Sequence, residues 1–162
     1  MTANDNINAL VDIALNLKQQ IENRDIEKLN MLFDENARIN IYGRFYTMKV
    51  FLSNLQSLLG AIEQPGFDIS SVDESEIGAE KAFIALSLEI FWIDRKIWDE
   101  VSQLATLSLE LERDYKKESN NWVISGFTLA RNKKVIEKQD VPIFPNDKRQ
   151  PTFLDGIFNF WY

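Results

Sequence analysis

The sequence contains no cysteine and no histidine. Without cysteine there is no disulfide, no thiolate nucleophile and no cysteine zinc site. Without histidine the commonest general base and the commonest metal ligand are missing too. Any chemistry must run on carboxylates, Tyr, Lys or Arg, so the expectation leans away from an enzyme. Long uncharged runs are also absent, and no segment reads as a membrane span. The start, MTANDNINAL, has neither a basic leader nor an apolar stretch, so we expect no signal peptide and a cytoplasmic location. A basic surplus is lacking as well. Eighteen Lys and Arg face 25 Asp and Glu, for a net charge of −7, which disfavours nucleic-acid binding. Only between Arg131 and Gln150 is the balance reversed, with six bases against three acids, and we read that stretch as a solvated linker.

What is present suits one well-buried domain: 162 residues, 45% hydrophobic and 27% charged. The chain is organised around Ala82 to Arg131. Three long apolar segments lie there, AFIALSLEIFWID, EVSQLATLSLELERD and NWVISGFTLAR, and alternation makes them consecutive antiparallel strands. In the first, Ile84, Leu86, Leu88, Ile90 and Trp92 form an apolar row. In the second, the row is Val101, Ala105, Leu107, Leu109 and Leu111, interrupted by Gln103. Matching the rows places a four-residue turn at Arg95–Trp98 between Asp94 and Asp99. It pairs Leu88 with Ala105, Leu86 with Leu107 and Ile84 with Leu109. One face is then wholly apolar. The other mixes Phe83, Phe91 and Leu104 with Glu89, Thr106 and serines, which reads as a dimer face or as ordinary scattered apolar surface.

The N-terminal part supplies helices to cover the apolar face. Ile7, Leu10, Val11, Ala14, Leu17 and Ile21 fall at helical spacing after a cap at Asp5 or Asn6, with Ile13 and Leu15 widening the stripe. Asp25 caps a short helix IEKLNMLF, whose apolar face is Ile26, Leu29, Leu32 and Phe33. The segment ARINIYGRFYT predicts a strand and hairpin turning at Gly43–Arg44. Thr47 caps a third helix carrying Phe51, Leu52, Leu55, Leu58, Leu59 and Ile62, which Gln64-Pro65-Gly66 ends. FDISSVDESEIG then reads as an acidic edge strand. Its carboxylates lack the glycine and ligand rhythm of a calcium loop, so no metal is expected. Past Arg131 the pattern dissolves. Pro142, Pro145 and Pro151 forbid a long helix, yet the last twelve residues hold Phe153, Leu154, Ile157, Phe158, Phe160, Trp161 and Tyr162. So apolar a tail is expected to pack on its domain or a partner, or to act as a docking peptide or lid. The expected organisation is therefore a domain over residues 1–131 and a tail over 132–162. The expected class is α+β, with three N-terminal helices packed on a strongly curved, mainly antiparallel sheet that forms a cone.

The order of helix, RDIEKLNMLFDENARINIY, hairpin, helix and long strands ending in W-V-I resembles the nuclear-transport-factor-2-like superfamily. The resemblance covers residues 5 to 131 and is most specific between Arg24 and Ile41. It implies a cone enclosing a pocket, and frequent dimerisation through the outer sheet face. For the superfamily's ketosteroid isomerases it implies a carboxylate base, a tyrosine and a second acid. Those positions fall on Ile41, Leu17 and near Leu109, all aliphatic here.

These readings converge on a homodimeric domain whose apolar pocket binds a small hydrophobic molecule without catalysis or cofactor. The expected lining is Leu17, Ile41, Phe51, Leu55, Ile90, Trp92, Gln103, Leu107 and Leu109, with Gln103 the candidate polar contact. Phe83, Glu89, Phe91, Leu104 and Thr106 form the expected dimer face. The alternatives are a protein-interaction module using that face and the aromatic tail, and a cyclase- or dehydratase-like enzyme with a buried carboxylate.

Overall fold

The computed structural model describes residues 3–114 and 122–131. In chain order these form α1 (Ala3–Glu22), α2 (Ile26–Asn30), β1 (Phe33–Ile41), β2 (Arg44–Tyr46), α3 (Met48–Ala61), β3 (Ile62–Ile77), β4 (Lys81–Asp94), β5 (Asp99–Arg113) and β6 (Trp122–Arg131). The described strands make one six-stranded sheet in the order β2-β1-β6-β5-β4-β3. Neighbours are antiparallel except β1 and β6, which run parallel. The sheet is curled but not closed, and α1 packs on β3 while α3 packs on β1 and β3. The class is α+β and the shape cone-like, as the strand patterning predicts.

Alternation in β4 and β5 dictates the register. Leu88 faces Ala105, Leu86 faces Leu107 and Ile84 faces Leu109, and the ladder runs without a shift from Lys81–Glu112 to Asp94–Asp99. Ile84, Leu86, Leu107 and Leu109 are all buried, while Ser87, Thr106 and Ser108 on the other face stay half-exposed. Each such leucine or isoleucine contributes about 1.5–3 kcal/mol on leaving water. The turn closes on Asp94, whose Oδ1 accepts from Lys96 N–H at 2.8 Å and whose carbonyl accepts from Trp98 N–H at 2.7 Å.

Curvature comes from β3. Its register against β4 shifts at Glu63/Gly66, Ile69/Ser71 and Val72/Glu74, and each bulge bends the strand. Here the sequence reading needs correction. Gln64-Pro65-Gly66 does not end α3, which stops at Ala61; it forms the first bulge of β3, with Gln64 at φ +48°. Proline is tolerated on an edge strand because its missing N–H would have faced no partner. What terminates α3 is a pair of arginines from elsewhere in the chain. Arg24 donates to the Leu59 carbonyl, and Arg95 donates to the Gly60 carbonyl at 2.8 Å. The last turn of α3 holds no basic residue of its own, so these guanidiniums supply the positive charge that a helix C-terminus favours. Glu63 ties them together, accepting from Arg95 Nε at 2.8 Å and standing 3.7 Å from Arg24.

Other boundaries move by a few residues. Asp25 and Thr47 cap α2 and α3, accepting from Lys28 N–H at 3.0 Å and Val50 N–H at 3.3 Å. However, α2 ends at Asn30. Leu32 instead offers its carbonyl to Ile124 N–H at 2.9 Å, and Phe33 opens β1. The first hairpin turns on Tyr42–Gly43, not Gly43–Arg44. Both residues have positive φ (+53° and +89°), as in a type I′ turn, whose twist matches the flanking strands. Helix α1 already includes Asp5 and Asn6, so neither is its cap, and Leu15 is 44% exposed instead of widening the buried stripe. Among the described residues no helix is long and apolar enough to cross a membrane. The aromatic tail and its prolines lie outside the described residues.

The two faces of β5 make a direct test. Leu107→Asp places an unpaired charge in the core and should cost several kcal/mol, on the order of total stability. Thr106→Asp, one residue away, should cost about 1 kcal/mol or less. Both are measured by urea unfolding at a concentration where the chain is monomeric, and equal losses would overturn the face assignment.

Candidate functional site

The bent sheet and the helices leave an interior cavity of about 90 Å³. Eighteen residues line it, and every one is apolar or glycine. Leu17 and Ile21 come from α1, Leu29 from α2, and Phe51, Leu55, Leu58 and Leu59 from α3. The sheet adds Ile41, Leu88, Ile90, Leu107, Phe127 and Leu129. Phe33, Phe51 and Phe127 brace one side as a tilted trio with ring centroids 5.6–5.9 Å apart, within the favourable range for aromatic pairs.

Six of the nine expected lining residues surround this cavity: Leu17, Ile41, Phe51, Leu55, Ile90 and Leu107. Trp92, Gln103 and Leu109 do not. Trp92 and Leu109 are packed into the core. Gln103 is 8% exposed and stands opposite Ile90 in the β4–β5 ladder, and its Oε1 accepts the Tyr42 hydroxyl proton at 3.0 Å. Of the positions that correspond to the isomerase residues, Ile41 and Leu17 border the cavity with aliphatic side chains.

Several lining residues escaped sequence reasoning. Leu29 and Phe127 sit on recognisable apolar stripes, but nothing local shows that the two stripes meet. Pro65, Gly66 and Phe67 reach the cavity only because the bulge at Gln64 carries β3 under α1. At Gly66 the phenyl ring of Phe91 lies across the backbone, and a Cβ there would stand 2.9 Å from its Cε2. Phe91, assigned by alternation to the outer row, therefore also contributes to the cavity wall.

On the outer face, Phe83, Leu104 and Thr106 are half-buried and Glu89 is exposed. Phe83 borders an open cleft of about 500 Å³ with Lys81 and the ion-paired Arg38 and Glu110. The acidic edge strand is engaged locally. Asp73 accepts from the hydroxyls of Ser71 at 2.7 Å and Ser87 at 2.6 Å, and Asp68 pairs with Lys18 at 3.0 Å. Among the described residues no group of three or more metal-ligating side chains is placed to hold an ion.

No protein-family model matches the sequence, and no curated protein matches it. Solved structures do. A function-unknown protein from Mycobacterium tuberculosis superposes with a TM-score of 0.73 at 10% identity, over 95% of this chain and 87% of that one. A nuclear transport factor 2-like superfamily protein from Salmonella enterica gives 0.67 at 9% identity, over 80% of this chain and 93% of that one. A protein of unknown function with a cystatin-like fold from Nostoc punctiforme gives 0.60 at 10% identity, over 83% and 96%. At such identities the likeness concerns the fold.

The aromatic trio should carry stability that an exposed ring does not. Phe127→Ala should cost about 3–5 kcal/mol by the transfer and cavity terms. Phe45→Ala, at a residue 76% exposed, should stay within about 0.5 kcal/mol. Chemical denaturation of the two variants checks the contrast.

Proposed function

We propose that this chain, whose fold is that of the nuclear-transport-factor-2-like proteins, binds a small hydrophobic molecule in the interior cavity and does so without catalysis. One observation supports the reading above the others: a cavity whose whole lining is apolar, in a fold whose helices and sheet could have closed on one another. Voids of this character stay dry, so an apolar guest gains dispersion contacts without displacing bound water. The same lining supports binding over reaction, since none of its side chains can take or give a proton.

Size narrows the guest. The cavity, at about 90 Å³, is smaller than the roughly 150 Å³ apolar cavity known to accept benzene, and far below the roughly 300 Å³ where drug-sized sites begin. A ligand of four to six carbons fits with small movements of the wall, which includes the Phe91 ring packed over Gly66. Benzene added to the labelled protein should shift the methyl resonances of Leu55, Ile90 and Leu107 in a saturable way. Leu55→Phe, which fills the space, should abolish those shifts while retaining the fold. Methyl spectra of the wild type that ignore benzene would overturn the reading.

Homodimerisation through the outer sheet face is a second reading, supported by Phe83 and Leu104 standing half-buried among the polar residues of that face. It predicts a mass in solution of twice the monomer at tens of micromolar, reduced to one copy by Leu104→Asp. A monomeric wild type under those conditions would exclude it.

A further inference from the structure

Resting on the binding reading above, we infer that the guest enters and leaves the cavity between the last turn of α1 and the first bulge of β3. It passes the Phe91 ring, beside an ion-pair strap formed by Lys18 and Asp68. Exposure locates the opening. Of the eighteen described wall residues fifteen are buried, while Ile21, Ile90 and Phe91 keep partial contact with solvent. These three belong to one place. Phe91 and Ile90 stand opposite Gly66 and Phe67 in the β3–β4 ladder. Ile21 precedes Glu22, whose Oε1 would stand 3.4 Å from a Cβ on Gly66, and the Phe91 ring lies 2.9 Å from the same point. The end of α1, β3 and β4 therefore converge on Gly66, and the least covered part of the wall is here.

The backbone is loosened at the same place. Between the Glu63–Ile93 and Gly66–Phe91 pairs, Gln64 and Pro65 of β3 stand against Trp92 alone, so the ladder is interrupted for one step. Pro65 has no N–H to contribute, and Gln64 holds φ +48°. A stretch with interrupted backbone hydrogen bonds opens at lower free energy than a continuous ladder such as β4–β5. A reversible tie completes the arrangement. Lys18 follows the wall residue Leu17, and it reaches Asp68, which follows the wall residue Phe67, at 3.0 Å. It also stands 3.9 Å from Glu22. The Lys18–Asp68 pair thus spans α1 and β3 beside the opening. With side chains 27% and 66% exposed, it is a salt-screened contact that can release and re-form while the core stays packed. Burial elsewhere around the wall, with a reversible tie at this one place, makes a gated cavity.

Association and dissociation rates of benzene are measured by NMR exchange on the full chain at neutral pH. The association rate is the readout, because it is lowered where binding needs a conformational change, whereas a poorer fit acts on dissociation. Phe91→Ala should raise the association rate constant roughly tenfold or more. Asp68→Asn, at an exposed side chain, carries the same test without touching the core. It should raise the rate about twofold to fivefold at low salt, and the gap to wild type should close at high salt, where the strap is screened in both. Leu129→Ala enlarges the cavity from β6, two strands away from β4, and should leave association within about twofold while changing dissociation. Association unmoved by Phe91→Ala, or by Asp68→Asn at low salt, overturns the gate and leaves the cavity reading standing. Acceleration by Leu129→Ala equal to that of Phe91→Ala also overturns it, since entry would then follow general loosening of the core. A wild type that binds no benzene removes both readings.

Discussion

The fourteen consecutive pairs between β4 and β5 are the constraint on which everything else rests. A slip of one residue would turn one of the two apolar rows, Ile84, Leu86 and Leu88 or Leu107 and Leu109, away from the core, an exposure large beside the marginal stability of a domain of this size. Because the ladder has no bulge, its apolar face is continuous and must be covered. That demand draws α1 and α3 onto one side and leaves serine, threonine and charged residues on the other. β6 extends the apolar face through Leu129, Phe127 and Ile124, which stand opposite Leu107, Leu109 and Leu111.

A straight sheet covered by helices would make a filled layer. We attribute the cavity to the three register shifts of β3 against β4, and to the charges from outside α3 that hold its C-terminal end. Arg24 and Arg95 reach its last carbonyls from the α1–α2 connection and from the β4–β5 turn, and Glu63 joins the two at the first bulge. Bend and clamp therefore meet at one place. Leu58, Leu59 and Ile62, which connect them, are also cavity wall. The hydrophobic effect supplies the energy of this arrangement, but directional contacts of the arginines decide its shape.

Much of this was legible in the residues because alternation leaves only one solution for two long rows. The register of β4 and β5, the four-residue turn and the caps at Asp25 and Thr47 all follow from local pattern. The path of β3 was not legible. Gln64-Pro65-Gly66 after a helical stripe carries the same signal for a helix stop as for an edge bulge, and only tertiary capping by two distant arginines decides between them. The cavity was legible in part for a related reason. Leu17, Phe51, Leu55 and Leu107 declare an inward face, whereas Phe67 and Phe91 join the wall through a bulge that no periodicity displays. Nor does spacing show that Tyr42 satisfies Gln103, sixty-one residues away, since the link passes through the single parallel pairing in the sheet.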